Sequence, residues 1–183
     1  MPDRLFAPAS AFSAPPPQVP GVTVEECTDM SLAAVMLARG ADEAFVAKAR
    51  AGLGFAPPGG PSRVEKGGIN LIGTGPGVWL AVAEGHPPGV FAARLADIFA
   101  GAASVSDQSS GYAVLRLTGP RARAVLQAAL PVDLDPSVFP LAASASTLLG
   151  HIGVILWQTG PDVWNLACFR SMADSLAHWL ARA

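Results

Sequence analysis

Short apolar runs broken by Gly and Pro set the rhythm of this chain. Val22-Thr23-Val24 reads as a brief strand, and Leu32 to Ala38 as an apolar strand that Gly40 interrupts. Asp42 then stands as the N-cap of a helix over roughly 43–52, with Phe45, Val46 and Ala49 on one face. Gly52 and Gly54 end it. Residues 55–68 carry Pro57, Pro58, Gly59, Gly60, Pro61, Gly67 and Gly68, so they read as a loop and as the most mobile segment inside the domain. A hairpin follows, Ile69–Ile72 and Val78–Ala83, around a Pro-Gly pair suited to a type II turn. A helix spans about 88–100, and Ala102 to Val105 is a further strand.

The second half repeats the plan. Tyr112, Val114 and Arg116 alternate against Ala113, Leu115 and Leu117; Gly119-Pro120 opens a helix to about Leu130. After a Pro-broken connection come strands near 145–149, 153–158 and 163–168, then a helix from a Ser171 cap to Arg182. Thr74-Gly75-Pro76-Gly77-Val78-Trp79 returns as Thr159-Gly160-Pro161-Asp162-Val163-Trp164, at an offset of 159 − 74 = 85. Ala34-Val35-Met36 echoes Ala113-Val114-Leu115 at 113 − 34 = 79. Two halves, about 30–106 and 107–183, thus each read β-α-β-β-α with a strand near the seam. Split units of this kind make mainly antiparallel sheets with helices packed on them, an α+β fold. Residues 1–22, rich in Pro, form an extended arm ahead of the domain at 23–183. Phe6 and Phe12 are its expected contacts with a partner, and removing residues 1–20 is expected to weaken assembly while leaving the domain folded.

Composition narrows the function. A net charge of −2 without a basic cluster argues against nucleic acid or an anionic membrane surface. Charged residues make up 14% and hydrophobic ones 51%, which leaves apolar surface for a partner. Cys27 and Cys168 stand alone and read as free thiols; with no signal-like stretch in the first 20 residues, the cytoplasm is the expected compartment.

Candidate chemistry is sparse. Gly73-Thr74-Gly75-Pro76-Gly77 follows a strand, yet a strand also follows it, and the second copy replaces Gly77 with Asp162. A pyrophosphate loop needs a helix N-terminus there, so turn geometry is the better reading. His86, His151 and His178 lack metal-ligand spacing. Asp107, Ser109 and Ser110 read as turn caps, and Asp133 with Asp135 as a solvated loop. Trp79, Trp157, Trp164 and Trp179 read as core. No catalytic, cofactor-binding or metal-binding residue is assigned.

Asp107 through Arg123 resembles a signature stretch of the gamma subunits of heterotetrameric sarcosine oxidase. So do Asp133-Leu134-Asp135 with Phe139-Pro140, Thr147 through Trp157, Gly75 through Trp79, and Arg170-Ser171 with Trp179-Leu180. The resemblance runs over roughly 30–183 and implies a divergent aminomethyltransferase-like, folate-binding-type fold. It implies a non-catalytic assembly subunit of a complex that demethylates sarcosine to glycine, with hydrogen peroxide and formaldehyde or methylene-tetrahydrofolate as co-products. FAD, FMN, NAD, tetrahydrofolate and zinc are then expected in the alpha, beta and delta partner subunits, with direct contact to alpha. The alternatives are a free-standing folate-binding aminomethyltransferase-like module and a scaffold protein unrelated to amine oxidation.

Overall fold

The structure, a computed structural model, describes residues 9–87 and 89–182. Ten strands and four helices follow in order. The first half holds β1 (Thr23–Glu26), β2 (Met30–Leu37), α1 (Asp42–Leu53), β3 (Arg63–Lys66), β4 (Ile69–Gly75), β5 (Val78–Glu84) and α2 (Val90–Ile98). The second holds β6 (Ala103–Asp107), β7 (Tyr112–Thr118), α3 (Ala122–Ala129), β8 (Ser144–Leu149), β9 (Ile152–Gly160), β10 (Val163–Phe169) and α4 (Ala173–Leu180). The α+β class and its antiparallel pairing are as expected.

Two five-stranded sheets form, in the orders β3-β4-β5-β2-β6 and β8-β9-β10-β7-β1. The orders match strand for strand, and their last members are exchanged. β1 leads into β2 but pairs with β7, whereas β6 leads into β7 but pairs with β2. Equivalent backbone bonds mark the two crossings, Cys27 N–H to Val114 at 2.9 Å and Gln108 N–H to Leu32 at 2.8 Å. The pairing thus keeps β6 with the half at about 30–106 in which the sequence reading places it, although the chain runs from it straight into β7.

Strand alternation gives each sheet two buried faces. On the first sheet, Leu71 and Trp79 pack against Phe45 of α1, Phe91 of α2 and Phe99 just after it. On the second, Leu117, Trp164 and Leu166 pack against Leu126 of α3 and Leu176 of α4. Between the sheets lie Leu32, Ile72, Leu80 and Val82 against Val114, Trp157 and Ala167. The layers are therefore helix, sheet, sheet, helix. Phe45 anchors its core with rings at 4.7 Å (Trp79) and 4.6 Å (Phe99). Each such buried aromatic contributes about 2–3 kcal/mol of transfer free energy.

Register corrects the upstream echo. Val35 lies opposite Trp79 and Leu117 opposite Trp164, so β2 and β7 match at 117 − 35 = 82, not 79. The error is odd, and in a strand an odd slip turns every side chain to the other face. Other local expectations shift for physical reasons. Residues 55–68 contain the edge strand β3, and Trp79 Nε1 ties the preceding Pro58 carbonyl at 2.9 Å. Ala41, not Asp42, holds the N-cap position of α1, and Asp42 opens the helix, where its charge favours the N-terminal dipole. Ser171 lies in a 3-10 turn, Arg170–Met172, one turn ahead of α4.

Phe12 is 7% exposed and packs in the second core of its own chain. Neighbouring backbone holds it there: Ala11 N–H meets Glu26 at 2.8 Å and Ser13 N–H meets Asp174 at 2.8 Å. Phe6 lies outside the described residues.

Candidate functional site

The repeated hairpin is the first candidate, and its glycines are accounted for by geometry. Gly77 has φ +67°, as the second central residue of a type II turn requires. A Cβ on Gly73 would stand 2.0 Å from the Gly60 carbonyl oxygen, so only glycine permits the approach of the Pro-rich strap. In the second copy Gln158 takes that place and its Nε2 donates to the Pro161 carbonyl at 3.1 Å. Both copies run on into strands, β5 and β10, so neither offers a helix N-terminus to a phosphate.

The acidic candidates serve turns. Asp107 accepts from the Ser109 N–H at 2.9 Å and hydroxyl at 2.6 Å. Asp133 accepts from the Asp135 N–H, and Asp135 from Ser137, whose bonds hold its carboxyl below the ordinary range. Burial pushes the Cys27 and Cys168 thiols up to about 11, so neither is a nucleophile at neutral pH. His86 faces Phe91, whereas His151 faces Trp179 and lines one surface cleft with His178. Among the described residues no group of three His, Cys, Asp or Glu side chains is placed to hold a metal ion.

Trp79, Trp157 and Trp164 are core residues, but Trp179 is 41% exposed. Gly150, at φ +61°, lies under the indole, where a Cβ would come within 2.7 Å of the ring. The ring is thereby seated yet open, beside exposed Met172. Trp and Met are residue types enriched at subunit interfaces.

Two clefts flank the layer between the sheets. One, of about 460 Å³, lies where the crossing connections meet, around Cys27, Asp29, Ser109 and Tyr112. The other, of about 310 Å³, opens between the facing strands. Its floor is Val82 and Trp157, and its polar groups are Arg63, Glu65, Asn70, Glu84, Arg116 and Thr159. Arg116 donates from Nε to Asn165 at 3.1 Å and from Nη2 to Glu84. Arg63 donates from Nη1 to Asn70 Oδ1, its Nε is buried without a partner, and burial pulls its pKa down.

Against this geometry, comparison with known proteins is decisive. The sarcosine oxidase, gamma subunit family matches residues 38–183. The chain belongs to that family. Its gamma-family relatives include the sarcosine oxidase subunit gamma of Corynebacterium sp. (strain U-96), 32% identical over 74% of this chain and 65% of the relative. Another is the subunit gamma of Corynebacterium sp. (strain P-1), 36% identical over 63% of this chain and 57% of the relative. The matched part thus spans between 57% and 65% of these curated relatives' length. A chain of the heterotetrameric sarcosine oxidase from Corynebacterium sp. U-96, solved in complex with pyrrole 2-carboxylate, superposes with a TM-score of 0.77. It is 28% identical, over 88% of this chain and 82% of that one. The glycine cleavage system aminomethyltransferase T from Bartonella henselae matches with a TM-score of 0.63 at 19% identity, over 87% of this chain and 45% of that one, which establishes a shared fold.

In this gamma-family chain, sequence reasoning passed over the two arginines that meet in the narrower cleft. Arg116 gave a signal, as the one charge in an otherwise apolar strand run, Tyr112 to Leu117. Arg63 gave none, because it sits in a stretch whose Pro and Gly content reads as loop.

Proposed function

We propose that this chain is the gamma subunit of a heterotetrameric sarcosine-oxidase-type flavoenzyme, acting in assembly and not in the chemistry. The reaction of the complex would take sarcosine, O₂ and water to glycine, formaldehyde and hydrogen peroxide, or pass the one-carbon unit to tetrahydrofolate. FAD, FMN, NAD, tetrahydrofolate and zinc would reside in the alpha, beta and delta subunits, with alpha as the direct contact and the cytoplasm as the compartment. The observation that carries this reading is the superposition on a chain of the heterotetrameric oxidase over most of both lengths. The seated Trp179 and the low charged fraction suit a chain that buries surface in an assembly.

The free-standing folate-binding alternative fits these residues less well. A pterin edge calls for a carboxylate in a dry pocket, yet the buried polar side chains among the described residues are Ser31, Ser144, Gln158 and Asn165. Each bonds within this chain, Ser31 to the His86 carbonyl and Ser144 to the Gly73 carbonyl, for example. Co-expression with the large subunit followed by size-exclusion chromatography tests the proposal. One co-eluting heteromeric peak is expected. A stable monomer without affinity for that subunit overturns it.

A further inference from the structure

The internal repeat exposes an anomaly in the layer between the sheets. Leu80 and Asn165 correspond at the hairpin offset, and Ala34 and Arg116 correspond through their strand partners, since Ala34 pairs with Leu80 and Arg116 with Asn165. The first half thus fills these two places with apolar side chains and the second with a guanidinium and a fully buried amide. A buried polar pair gives no stability advantage over the apolar pair its twin uses. Breaks in core patterning of this kind gather at functional sites. Here the break lines a cleft.

We propose that the cleft of about 310 Å³ between the sheets binds a carboxylate group, held by Arg63 with Arg116 and Thr159 beside it over the Trp157 and Val82 floor. Arg63 is the deciding group. Its Nη1 is engaged by Asn70, and among the described residues it has no carboxylate partner; the ion pair present is Arg116 with Glu84. Of the two rim carboxylates, Glu84 is paired with Arg116, and Glu65 accepts from the Gly68 N–H at 3.0 Å while its charge acts on Arg63 without an ion pair or hydrogen bond. The partly buried guanidinium thus keeps donors to spare, its Nε among them, and a planar carboxylate is its geometric complement. The apolar floor suits an acid with a flat or branched hydrocarbon body, the usual mix of a small-ligand site.

The carboxylate has two sources, a free small acid or an acidic side chain of a partner subunit. Benzoate titrated into the full chain by calorimetry tests the first, with benzamide as the uncharged twin. Saturable benzoate binding is expected, with benzamide weaker by about tenfold or more, and Arg63→Met lowering benzoate affinity by a similar factor. Arg63→Lys, which keeps the charge and loses the fork, should retain part of the affinity. Circular dichroism confirms that each variant is folded. The second arm places Arg63→Met in the co-purified assembly. Loss of assembly without benzoate binding by the wild type assigns the site to a partner's acidic side chain. Neither benzoate binding nor an assembly defect overturns the proposal, whether or not the wild-type chain assembles.

Discussion

Trp79 and Trp164 hold equivalent places on β5 and β10, but their indole nitrogens differ. Trp79 Nε1 donates to the Pro58 carbonyl at 2.9 Å, whereas Trp164 Nε1 is buried without a partner. Trp→Phe removes similar volume at both sites, so the difference between the two variants isolates the hydrogen bond. Trp79→Phe is expected to cost about 1–2 kcal/mol more than Trp164→Phe, because only the former orphans an acceptor. Urea unfolding of both variants measures the gap, and equal losses would contradict the assignment.

The same hairpin separates two neighbouring glycines. At Gly73 a Cβ meets the Gly60 carbonyl, and at Gly75 nothing lies within 4 Å. Gly73→Ala should therefore destabilise by about 2 kcal/mol or more, since rigid backbone must shift. Gly75→Ala should stay within about 0.5 kcal/mol. Comparable thermal midpoints for the two variants would show that the strap is free to move.

Local chemistry was readable in the sequence; long-range pairing was not. The Pro-Gly turns, the apolar runs and the duplicated Trp placed nine of the ten strands and all four helices, because turn geometry and side-chain period are local properties. β3 escaped because Arg-Val-Glu-Lys is a half-exposed edge strand among glycines and prolines. The exchange of β1 and β6 escaped because each has two neighbouring sheets to choose from, and no residue in Thr23–Glu26 or Ala103–Asp107 specifies which. At the cleft, Arg116 was visible as a charge in an apolar alternation, but its meeting with Arg63 depends on the stacking of two sheets.

Phe12, in the proline-rich segment, is buried in the same cluster as Leu134 and Phe139, which makes it part of the second core. Phe12→Ala should cost about 3 kcal/mol, in the range for emptying a buried aromatic site. Deleting residues 1–20 should then lower the stability of the isolated chain as well as its assembly. A deletion variant with an unchanged urea midpoint would return the segment to the role of a detachable arm.

The strand exchange makes each half the complement of the other. β1 meets β7 from Thr23 opposite Thr118 to Glu26 opposite Leu115, and β6 meets β2 from Ala103 opposite Leu37 to Asp107 opposite Ala33. The face between the sheets, with Leu80 and Val82 against Trp157, is buried only when both halves are present. Severing the link between α2 and β6 should therefore leave the fold assembled. A protease site inserted between the exposed Ala100 and Gly101 allows this cut in the folded full chain. After cleavage the two pieces should co-elute at the size of the intact 18.7 kDa chain. Their unfolding midpoint should now rise with protein concentration, because a folded state held by two chains depends on mass action. Separation of the pieces in native buffer, with either one unfolding cooperatively alone, would show that the exchanged strands are dispensable edges and that each half is a domain in its own right.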